Sequence, residues 1–126
     1  MPPSHLPALI TEHIQRLESA DPEALIAVFD EYGNYLYVSP NHELATGYTI
    51  DELLSMHLSQ TLHPTDHNAA YVLRTISVFY PRPIPFSGRV ITKSGAHVKI
   101  SGTIQHRRSP EGTMYFVSSV RHTPSG

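Results

Sequence analysis

Apolar and polar residues change their period along this chain, and each change marks an element. Leu6, Ile10, Ile14 and Leu17 recur at spacings of four, four and three, which is one stripe of an amphipathic helix. The spacing predicts a helix through "HLPALITEHIQRLES", with Ser4 as its cap and Pro7 tolerated in the first turn. "ADPE" breaks it, because Pro22 forces the chain to restart. "ALIAVFD" and "YLYVS" then read as two strands joined by "DEYGN", where Gly33 and Asn34 tolerate the positive φ of a tight hairpin. After Ser39 and Pro40 the period turns helical. "NHELATG" ends on Gly47, a helix-terminating residue. "TIDELL" places Thr49 three residues before Glu52, the pattern of a capping box. "HPTDHNAAYVLRTISVFY" is the longest helical stretch and is stopped by "PRPIP". In the last third, "FSGRVITK", "HVKISGTIQHRR" and "TMYFVSSVRH" alternate apolar and polar residues across the short turns "KSGA" and "SPEG".

Two strands, several short helices and three long antiparallel strands form a segregated order. That order predicts an α+β domain, one antiparallel sheet with helices on a face. The length of 126 residues fits one domain. The chain contains no cysteine, which excludes disulfides, thiolate metal sites and cysteine nucleophiles. A net charge of -2 leaves no footprint for nucleic acid, and the one adjacent basic pair, Arg107 and Arg108, reads as a solvated strand end. No apolar run approaches the roughly 20 residues that span a bilayer. "MPPSHLPALI" lacks the charged and apolar regions of an export signal. A cytoplasmic domain is the expectation, with neither a membrane nor a nucleic-acid partner.

The segment "TLHPTDHNAA" gathers His63, Asp66 and His67. Pro64 suits the first helical position, and Asp66 then lies in the first turn, where the helix dipole favours a carboxylate. His63 precedes the helix and is poorly aligned with His67, so the pair falls short of the ligand number a metal site needs. No nucleophile–base arrangement, phosphate-cradling loop or paired-carboxylate motif stands out. The nine histidines are scattered along the chain.

Four short motifs occur in order: Asp30 with Gly33; Gly47, Tyr48, Thr49, Glu52 and Leu53; His63, Pro64 and Asp66; Lys93 and Gly95. Together with "YFVSSVRH" they make the chain from about Ala24 to Thr123 resemble the PAS (Per-Arnt-Sim) sensory domain. The resemblance implies a five-stranded antiparallel sheet cupped around a pocket, with a long helix closing the front. It divides the chain into a flanking amphipathic helix (1–22), the PAS domain (23–123) and a tail (124–126). It implies a non-enzymatic module of signal transduction, the input domain of a histidine kinase, cyclase or transcription regulator. The pocket would be lined by Leu73, Ile76, Val90, Val98, Ile100, Ile104, Phe116 and Val120, residues that plain core packing explains equally. Gly88 and Gly102 inside strands mark bulges or a close approach.

The resemblance also defines alternatives. In haem-binding members a histidine on the front helix holds the iron, and His67 is the candidate here. Flavin is disfavoured, because the chain lacks both the cysteine of the light-sensing branch and a tryptophan. The stripe Leu6, Ile10, Ile14 and Leu17 would pack either on its own sheet or on a second copy in a homodimer. At the far end, "VRHTPSG" keeps Arg121 and Thr123 of the usual output segment, but His122 replaces its aspartate. A small-molecule sensor, a module that only dimerises and a haem sensor are therefore the three readings.

Overall fold

The computed structural model describes residues 5–123. The first helix, α1, spans Ala8–Ala20. Ser4, expected as its cap, lies outside the described residues. Pro7 occupies the cap position instead of the first turn, with its carbonyl accepting from the Ile10 and Thr11 amides at 2.9 and 3.1 Å. The stripe is used within the chain: Leu6, Ile10 and Ile14 are buried against Ile26, Val28, Tyr37 and Val117, with Leu17 half-buried beside them.

Strand β1 (Leu25–Phe29) is buried at all five positions. Ile26 and Val28 face α1, while Leu25, Ala27 and Phe29 face the opposite side. Burial on both faces is why its sequence, LIAVF, is continuously apolar rather than alternating. The hairpin to β2 (Tyr35–Val38) turns at Gly33, whose φ is +95°. Asn34 does not share that conformation, contrary to expectation. It is tied instead to Asp30, whose carboxylate accepts from the Tyr32 and Asn34 amides at 2.9 Å and from Asn34 Nδ2 at 3.0 Å. The register then shifts, so that Val28 pairs with Tyr37 and Phe29 with Tyr35. That bulge sends Tyr37 to the α1 side and Tyr35 to the inner side.

Three short helices follow, α2 (His42–Thr46), α3 (Ile50–Leu54) and α4 (Leu58–Thr61). Gly47 closes α2 at φ +79°. The capping box at α3 forms as the spacing predicts: Glu52 N–H donates to Thr49 Oγ1 at 3.1 Å, and Thr49 N–H to Glu52 Oε1 at 2.8 Å. Thr49→Ala should cost about 1 kcal/mol, read as a lower urea midpoint at unchanged slope. An unchanged midpoint would show that Glu52, held also by Lys93 Nζ at 2.8 Å, fixes this turn without the threonine. Helix α4 has no periodic signature; the His57 ring caps it, accepting from the Ser59 amide at 3.0 Å.

The long helical stretch is shorter than its sequence suggests. Pro64–Asp66 forms a 3-10 turn, and α5 runs only over His67–Ser77. The final strands are β3 (Ile84–Ile91), β4 (His97–Arg108) and β5 (Met114–Thr123). β3 begins earlier than its alternation implies and takes in Pro85, which an edge strand tolerates. The sheet order is β2-β1-β5-β4-β3, antiparallel throughout. α1 covers one face of this sheet, and α3 and α5 lie against the other.

Candidate ligand cavity

The inner face of the sheet and α5 enclose a cavity of about 70 Å³ with an almost wholly apolar wall. Leu73, Val90, Ile100, Ile104 and Val120 line it. Three other expected residues do not. Ile76 is 38% exposed on the outer face of α5, because the inward stripe of that helix is Ala70, Leu73, Arg74 and Ser77, spaced three, four and seven from Ala70. Val98 shares the face of Ile100 and pairs with the wall residue Val90, but does not itself line the cavity. Phe116 is buried in the inner core, its ring 5.6 Å from that of His106, and lines a separate outer groove.

Leu25, Ala27 and Phe29 of β1 also line the cavity. The unbroken apolar run LIAVF was the available signal for them, since only a strand covered on both sides needs one. Tyr35, His42, Thr61, Arg74 and Ser118 supply the polar groups of the wall, and no periodicity announces those.

Tyr35, Thr61 and His42 each have a defined state. Thr61 Oγ1 donates to the Leu58 carbonyl at 3.1 Å, so the 2.6 Å contact with Tyr35 is donated by the tyrosine hydroxyl. Burial pushes the Tyr35 pKa up to about 12, keeping the hydroxyl protonated. His42 Nδ1 lies 3.0 Å from the Ser39 carbonyl, which can only accept, so Nδ1 carries the proton. Burial lowers the His42 pKa to about 4, and the ring is neutral at physiological pH. Arg74 differs: its Nε and Nη1 are buried and have no hydrogen-bond partner.

The segment around His63 starts a helix and ties it to β3. His63 Nδ1 accepts from the Thr65 amide at 3.2 Å, and Asp66 Oδ2 accepts from the Arg89 amide at 2.9 Å. His67 turns back on the preceding loop, with Nε2 donating to the Leu62 carbonyl at 2.7 Å. It does not line the cavity. Among the described residues, no group of three or more His, Asp or Glu side chains is placed to hold a metal ion, and no helix is long and apolar enough to cross a membrane.

An antiparallel sheet in the order β2-β1-β5-β4-β3, with its inner face roofed by helices over a small cavity, is the architecture of a PAS sensory domain. The chain belongs to that family: the profile described as PAS fold matches residues 35–121. No curated protein matches this chain. Among solved structures, the chain is similar to a PAS domain from a two-component sensor histidine kinase, at 16% identity and a TM-score of 0.70 over 93% of this chain and 100% of that one. It is similar to the PAS domain of an HTR-like protein from Haloarcula marismortui, at 19% identity and a TM-score of 0.68, over 91% and 95% of the two chains. The PAS-B domain of Drosophila melanogaster Cycle with bound ethylene glycol matches at 15% identity and a TM-score of 0.72, over 79% of this chain and 99% of that one. At these identities the likeness is one of fold.

Haem does not fit the residues present. The candidate His67 is engaged by Leu62 and stands outside the wall. The cavity of about 70 Å³ is far below the roughly 300–1,000 Å³ of sites for larger ligands.

Proposed function

We propose that this domain is a sensory input module of a larger signalling protein, such as a histidine kinase, and that it responds to a small molecule held in the inner cavity without catalysing a reaction. The observation that carries this reading is the enclosed apolar cavity with a few polar groups of fixed protonation in its wall, the composition expected of a small-molecule site. The likeness to a PAS domain of a sensor histidine kinase supports the signalling role. The Cycle PAS-B structure with ethylene glycol shows a relative of this fold holding a molecule of that small size.

A route out of the cavity runs along β5. This central strand contributes Ser118 and Val120 to the wall, and Arg121 follows at once. The Arg121 guanidinium clasps Asp21 at the end of α1 through Nε at 2.7 Å and Nη2 at 2.6 Å. A shift of β5 therefore reaches α1, the flanking helix, directly.

A second reading, a module that only associates with a partner or a second copy, rests on a different surface. Tyr71, Val72 and Ile76 stand exposed on the outer face of α5, followed by Phe79 and Tyr80, and such patches mark interaction sites. The stripe of α1 is not that surface, being covered by the sheet.

The two readings separate in one experiment. Short alcohols, diols, amides and acids are screened by thermal shift on the domain and on Ala70→Leu, which adds side-chain volume at the cavity wall. A ligand at about ten times its Kd stabilises by about 1.4 kcal/mol, a rise of several degrees for a domain of this size. That rise is expected in the parent and not in Ala70→Leu. No shift with any compound, together with concentration-dependent dimerisation in sedimentation, would replace the sensor by the association module.

A further inference from the structure

The inward stripe of α5 carries one residue that core packing does not explain. Arg74 lines the cavity beside Leu73 and Ala70, yet its Nε and Nη1 are buried with no acceptor in reach. An ionised guanidinium carries five donors and no acceptor, and burial without a partner is unfavourable. Burial indeed holds its pKa below the ordinary arginine value.

The neighbouring acidic groups do not relieve it. Asp30 already accepts from Tyr32 N, Asn34 N and Asn34 Nδ2. Glu31 lines the same outer groove as Arg74, but no ion pair joins Arg74 to a carboxylate among the described residues. The guanidinium is also confined. Nη1 lies 2.6 Å from where a Cβ on Gly33 would stand, so the hairpin leaves room for this head group only because residue 33 is glycine.

We propose that the cavity binds a short-chain monocarboxylate, with the carboxylate accepting from the Arg74 guanidinium and the apolar tail lying among Leu25, Ile100 and Val120. This deepens, and rests on, the reading of the cavity as a ligand site. Guanidinium is the side chain best matched to a planar carboxylate. Apart from the uncharged Tyr35, His42, Thr61 and Ser118, the rest of the wall is apolar, which selects for a hydrocarbon tail and against inorganic phosphate or a second charge. The size of the cavity sets the length. At about 10–15 Å³ for each water-sized atom, the cavity of about 70 Å³ holds about five to seven such atoms, which points to acids of about three to five carbons. Arg74 lines both the cavity and the outer groove formed by Glu31, Tyr71, Thr75 and Phe116, so an acid arriving from the groove meets the guanidinium first.

The test compares butyrate with butyramide, its uncharged analogue of the same shape, on the intact domain. Binding is followed by thermal shift and by the ¹⁵Nε–¹H resonance of Arg74, which needs no variant. Butyrate should raise the melting temperature and move that resonance. Butyramide should bind about 10- to 100-fold more weakly. Arg74→Met should bring butyrate down to the level of butyramide while the neutral compound is unaffected. Equal binding of butyrate and butyramide, or a stationary Arg74 resonance at saturation, overturns carboxylate recognition but leaves the small-molecule cavity standing. Binding of inorganic phosphate as strong as that of butyrate overturns the assignment of the tail. If neither organic compound binds and no other in the screen does, this inference and the ligand-site reading fall together.

Discussion

Gly102→Ala is expected to abolish the folded domain or to cost more than about 3 kcal/mol, a large part of the roughly 5–15 kcal/mol that holds a domain together. Gly102 sits in β4 opposite Val120 of β5. A Cβ there would lie 2.7 Å from Val120 Cα and still closer to the Ser119 carbonyl oxygen. Both are backbone atoms of the central strand, so no rotamer change relieves the clash, and overpacking of this kind strains the sheet itself. The consequence reaches the cavity, because Gly102 lies between the wall residues Ile100 and Ile104. Gly95→Ala is the control. It has φ +91° and nothing within 4 Å of a new Cβ, so its cost is the conformational strain alone, about 1–2 kcal/mol. Urea denaturation followed by circular dichroism distinguishes the two. A Gly102→Ala domain as stable as Gly95→Ala would mean that β4 and β5 can separate, and that the sheet is far softer than its register implies.

Acidification from pH 6.5 to 4 should remove up to about 3 kcal/mol of stability for each of two buried histidines, His42 and His13. His42 is lowered to about 4 by burial. His13 is lowered to about 4 by burial first, then by the charges of Arg107 and Arg16, and its Nδ1 accepts from Arg107 Nη1 at 2.9 Å. Both folded-state values lie below the unfolded value of 6.5, so the unfolded chain binds the proton first. Stability is therefore complete above pH 6.5 and declines as the pH falls towards 4. Carboxylates held below their usual range, Asp21 by its hydrogen bond to Arg121 and Glu52 by its hydrogen bond to Lys93, add to the loss only at lower pH. Urea midpoints measured between pH 7 and 4 should follow a slope of about 1.4 kcal/mol per pH unit for each histidine. His42→Gln should remove one of the two contributions. An unaltered slope in that variant would mean that His42 titrates normally and has access to water.

Both expectations come from features that differ in how far the chain reveals them. A glycine inside the alternating stretch HVKISGTIQHRR is visible as an anomaly, and close approach is one of its two standard causes; the structure selects that cause. The neutral state of His42 is invisible in NHELATG, because it depends on burial beneath the sheet and on the Ser39 carbonyl. The front helix shows the same division. Its start at His63–Asp66 follows from the preferences of proline and aspartate for a first turn. Its length does not, since "VFY" continues a helical pattern that ends at Ser77.

The amino-acid sequence by itself determined the order of the longer elements, the Gly33 and Gly47 turns, the Thr49 cap and the three late strands. These depend on interactions a few residues long: periodicity, capping and the steric freedom of glycine. It also determined that a cavity wall built from Leu73, Val90, Ile100, Ile104 and Val120 would be apolar. The tertiary structure alone decided which side chains complete that wall. One bulge in β2 turned Tyr35 inward and Tyr37 outward. The rotation of α5 against the sheet turned Arg74 inward, left Ile76 in solvent and set His67 against Leu62. The sheet, rather than a second chain, covered the stripe of α1. A helix carries its phase about its own axis only as a pattern; the surface it meets chooses which part of that pattern faces in.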